Sequence, residues 1–362
     1  MRIGIPKEIK NHEYRVAITP AGVAQAVAAG HQVLVESGAG TAVDFSDAEY
    51  LAAGATLADG AGVFAAELVF KVKEPQPEEV ARLQPGQWLF CYLHLAPAPE
   101  LARALLAKGI HGVAFETVVD PAGHTPLLAP MSEIAGRLAI QAGMQALEMK
   151  HGGRGVLLAG VPGVAPGRVA ILGGGVVGAN AARIALGVGA EVTLLDRDGA
   201  RLRHFDDLYG GRLLTRFSNP ASIGEVLARS DLVVGAAYVH GRRAPHLINR
   251  DLLGALPRGA ALVDVAIDQG GIAETSRPTT HSAPFYVEEG VVHYCVANMP
   301  GAVARTATLA LAEATLPYLL RLADNPMAAL ERDPGFLAGL NVSAGRITHP
   351  GLAADLAPRP AP

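Results

Sequence analysis

Short apolar runs alternate with amphipathic stretches along most of this chain. RIGIPK, HQVLVES, ELVFKVKEP, QWLFCYLHL and IHGVAFETV read as strands bounded by glycine, proline or charge. Interleaved with them, TPAGVAQAVAAG, AEYLAAGA, PEEVARL and APELARALLAKG carry apolar residues at helical spacing. Thr19 stands as an N-cap before Pro20, and Gly30 as a stop. The Pro/Gly-rich crossing DPAGHTPLLAPMSE closes this unit, and the helix SEIAGRLAIQAGMQALEMK follows with Ser132 as its N-cap. After the Gly-rich loop HGGRGVLLAGVPGVAPG, the alternation resumes at residue 168 and closes with VVHYCVANMPG. Strands alternating with helices define parallel sheets of the α/β class.

The last helical stretch, ARTATLALAEATLPYLLRLAD, needs a surface to pack on, and the first unit is the expected one. The predicted organisation is two Rossmann-like α/β domains with parallel sheets. One is discontinuous, residues 1–128 with 306–362, and the other spans 129–305. Beyond about residue 345 the Ala/Pro-rich tail is expected to be disordered.

One segment carries a question of its own. In VDVAIDQGG, Val263, Val265 and Ile267 read as one face of a buried strand, with Asp264 and Asp268 among them. Buried carboxylates are costly unless paired or used. Asp264 is expected deep in the strand as a structural acid bonded to a backbone donor or a cation. Asp268 is expected at the strand's carboxyl end, beside a ligand.

A length of 362 residues favours two cores over one. The formal net charge is −4 and no Lys/Arg-rich run occurs, so nucleic acid is not an expected partner. No apolar stretch approaches the roughly 18 residues of a membrane helix, and MRIGIPKEIK does not read as a signal peptide. A cytoplasmic protein without a membrane partner is expected. Cys91 and Cys295 have apolar neighbours and read as buried, reduced thiols.

The sharpest chemical signal is ILGGGVVG, which places Gly173, Gly175 and Gly178 in G-x-G-x-x-G spacing. With 42 glycines the spacing alone is weak, but it follows an apolar strand, opens an Ala-rich helix and precedes Asp196. Gly173 serves the tight turn, Gly175 the approach of a pyrophosphate, and Gly178 close helix–strand packing. Asp196 would take the ribose hydroxyls and repel a 2′-phosphate, favouring NAD over NADP, with Arg197 softening that preference. In the first unit, Arg15, Lys73 and His94 fall near strand ends. Each has an ordinary reading: a surface charge, a Glu74 partner and a core histidine. Together they suit an anionic substrate that exchanges a proton.

The segments MRIGIPKEIKNHEYRVAITPAGV, VKEP, LHLAP, LLAPMSEIAGRLA, GGRGVLLAGVPGV, VDVAIDQGG, SRPTTH and YCVANMPGAV together resemble the alanine dehydrogenase family, from residue 1 to about 345. The resemblance implies NAD-dependent oxidative deamination of L-alanine to pyruvate and ammonium, in a two-domain subunit of a homohexamer. It implies Arg15 and Lys73 on the substrate carboxylate and carbonyl oxygen, Met131 in the substrate pocket, His94 as acid/base and Asp268 as second catalytic residue. For NAD it implies Ser132, Val177, Asp196, Arg201, Ser218, Val239, Ile267, Asp268, Arg277 and the run Val296, Ala297, Asn298 and Met299, beside the three glycines. The metal site of some relatives does not carry over, because Ala200 and Asn325 stand at the matching positions. Three other readings compete: a transhydrogenase α subunit, a saccharopine dehydrogenase-like enzyme with a larger substrate, and a catalytically inactive NAD sensor. Retention of Arg15, Lys73 and His94 argues against the first and the last.

Overall fold

The computed structural model describes residues 1–237 and 244–356. The chain divides into two compact units, Met1–Met131 with Gly301–Pro362, and Ser132–Pro300. The first unit opens with β1 (Arg2–Ile5), β2 (Gln32–Glu36), β3 (Thr56–Ala58), β4 (Leu68–Phe70), β5 (Trp88–Cys91) and β6 (His111–Ala114). The second holds β7 (Arg168–Leu172), β8 (Glu191–Asp196), β9 (Leu213–Phe217), β10 (Leu232–Gly235), β11 (Ala261–Asp264), β12 (Phe285–Glu288) and β13 (Val291–Tyr294). The chain then returns to the first unit through the helix Ala304–Asp324 and ends in β14 (Leu340–Ser343), β15 (Arg346–Ile347) and the helix Pro350–Leu356.

Among the described residues, the first sheet runs β15-β14-β6-β5-β4-β1-β2-β3 and the second β12-β13-β11-β10-β7-β8-β9. The strand order reverses between β1 and β4 in one, and between β7 and β10 in the other. Those are the switch points at which α/β sheets open a crevice beyond the carboxyl ends of their strands. Crossover helices cover both faces, so the inner strands are buried throughout: every residue of β4, β10, β11 and β13 is buried, and all but Asp264 and His293 among them are apolar, aromatic or glycine.

The expected parallel sheets need one correction, at an edge of each. β12 pairs antiparallel with β13, and β14 pairs antiparallel with both β6 and β15. The hairpins turn on two residues at positive φ, Glu289 (52°) with Gly290 (79°) and Ala344 (47°) with Gly345 (78°). Two consecutive left-handed residues match the strand twist of a tight hairpin, which leaves no room for a crossover.

Local signals decide the elements that place the site. Thr19 caps the helix Pro20–Ala28 by accepting the Gly22 N–H at 3.1 Å, a bond whose loss costs about 1 kcal/mol. Ser132 is not an N-cap: its helix runs Ala129–Ala146 and begins a turn earlier, with Pro130 in the first turn where no N–H is needed. IHGVAFETV stops being a strand at Ala114 and tightens into a 3₁₀ turn, Phe115–Thr117. AALVDVAID likewise ends as a strand at Asp264 and continues as a 3₁₀ helix, Val265–Gln269. The tail expected to be disordered is folded as far as Leu356, with Leu352 5% exposed in the core of the first unit.

Candidate active site

In the second unit the glycine turn lies between β7 and the helix Val176–Gly187. Gly173 has φ 106°, a conformation that side chains rarely adopt. A Cβ on Gly178 would stand 1.8 Å from the Gly173 carbonyl oxygen, so only glycine lets helix and turn touch. Gly175 differs: a Cβ there would meet nothing within 4 Å. It is also the N-cap of the helix and supplies no side-chain cap. A helix N-terminus beneath a bare, open glycine is what a pyrophosphate requires. Two substitutions separate these roles. Gly178→Ala is expected to lower the thermal unfolding midpoint. Gly175→Ala is expected to leave the midpoint unchanged and weaken NADH binding about tenfold or more, as read by fluorescence titration.

Asp196 ends β8 one strand away, 9% exposed. Its Oδ2 accepts the Gly174 N–H at 2.6 Å and its Oδ1 the Asp198 N–H at 2.9 Å, while Arg201 Nη1 lies 3.2 Å away. Burial opposes the charge, yet those donors and the guanidinium hold the carboxyl below its usual range. Asp196 therefore locks the glycine turn and also presents an anion. Ser218 follows β9 and donates its N–H to the Asp196 carbonyl, and Val177 is half-buried in the helix.

Asp264 answers the question raised by VDVAIDQGG. It is fully buried, and its oxygens accept the N–H groups of Ala266 and Ile272 and the hydroxyl of Ser276. Burial raises its pKa against those bonds. By capping the turn it ends β11, so the strand face read through Val265 and Ile267 does not exist. Ile267 is buried and Asp268 is exposed on the 3₁₀ helix. Beyond it, Arg277 lies 3.8 Å over the Tyr286 ring. Beyond β13, Val296 and Met299 are buried in the core, Ala297 is half-buried, and Asn298 has φ 67°. Val239 lies outside the described residues.

The first unit gathers its candidates around Tyr92. Arg15 is 2% exposed and held by a bidentate bond from Nε and Nη2 to Glu13, at 2.6 and 2.5 Å. Its Nη1 points to the Met131 sulfur at 3.0 Å. Lys73 Nζ lies 5.9 Å over the Tyr92 ring and 3.7 Å from Glu74. His94 stacks on the same ring, nearly parallel to it, with centroids 5.7 Å apart. The Tyr92 hydroxyl bonds to the Leu127 carbonyl, and burial pushes its pKa far up, so it stays neutral.

Glu13, Glu116, Lys71, Glu8 and Glu79 escaped the sequence reading. Glu13 fixes Arg15. Glu116, in the turn after β6, accepts the His94 N–H at 2.7 Å and the Leu93 N–H at 3.3 Å, and its Oε1 is 3.8 Å from His94 Nδ1. His94 sits at φ 45°, a strained conformation costing about 1–2 kcal/mol. Behind Lys73, the buried Lys71 bonds to Glu8 and to the Lys73 carbonyl, both at 3.0 Å, and lies 3.2 Å from Glu79. Two carboxylates face one ammonium there, and burial raises the pKa of Glu8 despite Lys71. Charged residues near strand ends were the available signal, but their pairing depends on strand order.

A doubly wound sheet with a glycine cradle and an anion at the next strand defines a dinucleotide-binding protein. A second sheet carries the cations Arg15 and Lys73 and the histidine His94 beyond its strands. Two family models match: the alanine dehydrogenase/PNT N-terminal domain over residues 4–135 and its C-terminal domain over 139–350. The chain is 57% identical to an alanine dehydrogenase of Halomonas elongata, over 98% of this chain and 96% of that one. It is similar to a solved L-alanine dehydrogenase, at TM-score 0.94 and 49% identity, covering 98% and 99%. A transhydrogenase from Sinorhizobium meliloti shares the fold, at TM-score 0.81 and 24% identity, covering 97% and 99%. The chain belongs to the alanine dehydrogenase/PNT family.

Proposed function

We propose that this protein is an NAD-dependent alanine dehydrogenase, interconverting L-alanine, NAD+ and water with pyruvate, ammonium, NADH and a proton. The observation that carries the reading is the placing of Lys73 and His94 on the Tyr92 ring and of the Arg15 guanidinium against Met131, within a chain 57% identical to an alanine dehydrogenase. The transhydrogenase rests on a likeness of fold alone.

The second unit holds the dinucleotide, with its pyrophosphate over Gly175 and its ribose on Asp196. Ser132, Val177, Arg201, Ser218, Val239, Ile267, Arg277 and the run 296–299 complete that site in our reading. When bound, NAD+ accepts the Cα hydrogen of alanine as hydride. Arg15 and Lys73 orient the carboxylate; Glu13 keeps the guanidinium from turning, and Lys73 supplies a compact charge. With one ammonium proton first released to solvent, loss of the hydride from the neutral amine leaves an iminium on the substrate, to which water adds. His94 takes the proton from that water and returns it to the departing ammonia. Asp268 supplies negative charge beside the cationic intermediate.

Assembly as a homohexamer and a cytoplasmic location belong to the same reading. Among the described residues no helix is long and apolar enough to cross a membrane.

The test is NADH formation with purified protein and a panel of L-amino acids, with NADP+ as the control. L-alanine is expected to exceed the other amino acids. NADP+ is expected to fail because the Asp196 carboxylate repels a 2′-phosphate. Tight NADH binding without turnover of any amino acid would overturn the proposal.

A further inference from the structure

The acid/base reading of His94 leaves open what holds a histidine ready on a loop. β5 and β6 are parallel neighbours, with Cys91 opposite Ala114. Residues just past the two strand ends are therefore adjacent, and Glu116 meets Leu93 and His94 by register. Its side chain is 14% exposed. One carboxylate takes both backbone N–H groups of the loop and faces the imidazole from its Nδ1 side. Tyr92 closes one face of the ring. Among the described residues, Glu74 and, across Tyr92, Lys73 also face His94; Glu74 is itself engaged by Lys73 and Lys10.

We infer that Glu116 is the positioning residue of His94. It fixes the left-handed backbone, turns Nε2 toward the reacting water and stabilises the imidazolium that forms when His94 takes a proton. The arrangement is that of a base oriented by a third group. It needs no proton on Glu116, which acts by charge and by accepting two N–H groups.

The inference rests on the acid/base reading of His94, and the experiment separates the two. Glu116→Gln keeps an oxygen for both N–H groups and removes only the charge. It is expected to lower kcat roughly tenfold or more and leave NADH binding unchanged. The acidic limb of the kcat/KM profile for alanine should move down by roughly one pH unit, because an uncompensated imidazolium loses its proton more readily. A purely structural role would lower activity without moving that limb. If Glu116→Gln does not fold, Glu116→Asp keeps the charge one methylene further away, and a smaller displacement in the same direction is expected. A pH profile superimposable on the wild type, in whichever variant folds, overturns the inference. His94→Gln is measured beside it: an active His94→Gln refutes the acid/base reading, whereas an inactive one with an unmoved Glu116 variant refutes this inference alone.

Discussion

Replacing His94 with alanine is expected to lower kcat for alanine oxidation by about 10²–10⁴-fold, with NADH affinity within a factor of two of the wild type. The size follows from the proposed role of the side chain. The water that attacks the iminium must lose a proton, and a carbinolamine must gain one before ammonia leaves. Without a positioned base both transfers fall to solvent. The affinity should survive because the glycine turn, Asp196 and the helix Val176–Gly187 are untouched. The fold should survive as well, since the His94 N–H, rather than its ring, makes the 2.7 Å bond to Glu116. Pre-steady-state mixing with NAD+ gives a sharper form of the test. If His94 acts after hydride transfer, the variant should still form NADH in a burst of one equivalent or less and then stall. Unchanged steady-state turnover would sink the assignment.

The depth of the sequence reading varied with the range of each interaction. Period and punctuation placed the strands and helices because they are local: Thr19-Pro20 opened a helix as read, and the glycine turn fell between strand and helix. Asp264 was readable as a buried acid bonded to backbone donors, since apolar flanks leave little else. What misled was a local pattern with two solutions. Val263, Val265 and Ile267 alternate like a strand, but the Asp264 carboxylate captures the Ala266 N–H and turns the backbone into a 3₁₀ helix. Ser132 was misplaced because a serine is a good cap, while Pro130 already suits the first turn. The edge hairpins were hidden because their turns use Glu289 and Ala344 at positive φ, where glycine or asparagine would announce them. The partners of the catalytic candidates were beyond reach for another reason. Glu8 meets Lys71 and Glu79 only because strand order sets the segment after β1 beside the one after β4, where Lys71 follows the strand and Glu79 lies in the helix Pro77–Arg82.

That triad carries the second large effect. Lys71→Met is expected to destabilise the protein by about 3–5 kcal/mol near neutral pH, because it leaves two buried carboxylates without their cation. The sign of the pH dependence follows from Glu8. Burial already holds its folded-state pKa above the ordinary value of 4.5, against the pull of Lys71. A carboxyl raised in this way binds a proton more readily in the folded chain than in the unfolded one. Its stabilising proton is fully present below the unfolded value and is lost as pH rises through the folded value. Removing Lys71 raises that folded value further. The gap between variant and wild type should therefore be small in acid and widen toward alkaline pH, which urea unfolding at several pH values will show. A gap that narrows as pH rises would contradict the charge assignment. Function should follow the same residue by a shorter path. The Lys71 ammonium bonds to the Lys73 carbonyl, and Glu8 takes the Val72 N–H, so the pair clamps the backbone that aims Lys73. Loss of the clamp should raise KM for pyruvate more than it lowers kcat, because in the proposed mechanism Lys73 orients the carboxylate while His94 moves the proton.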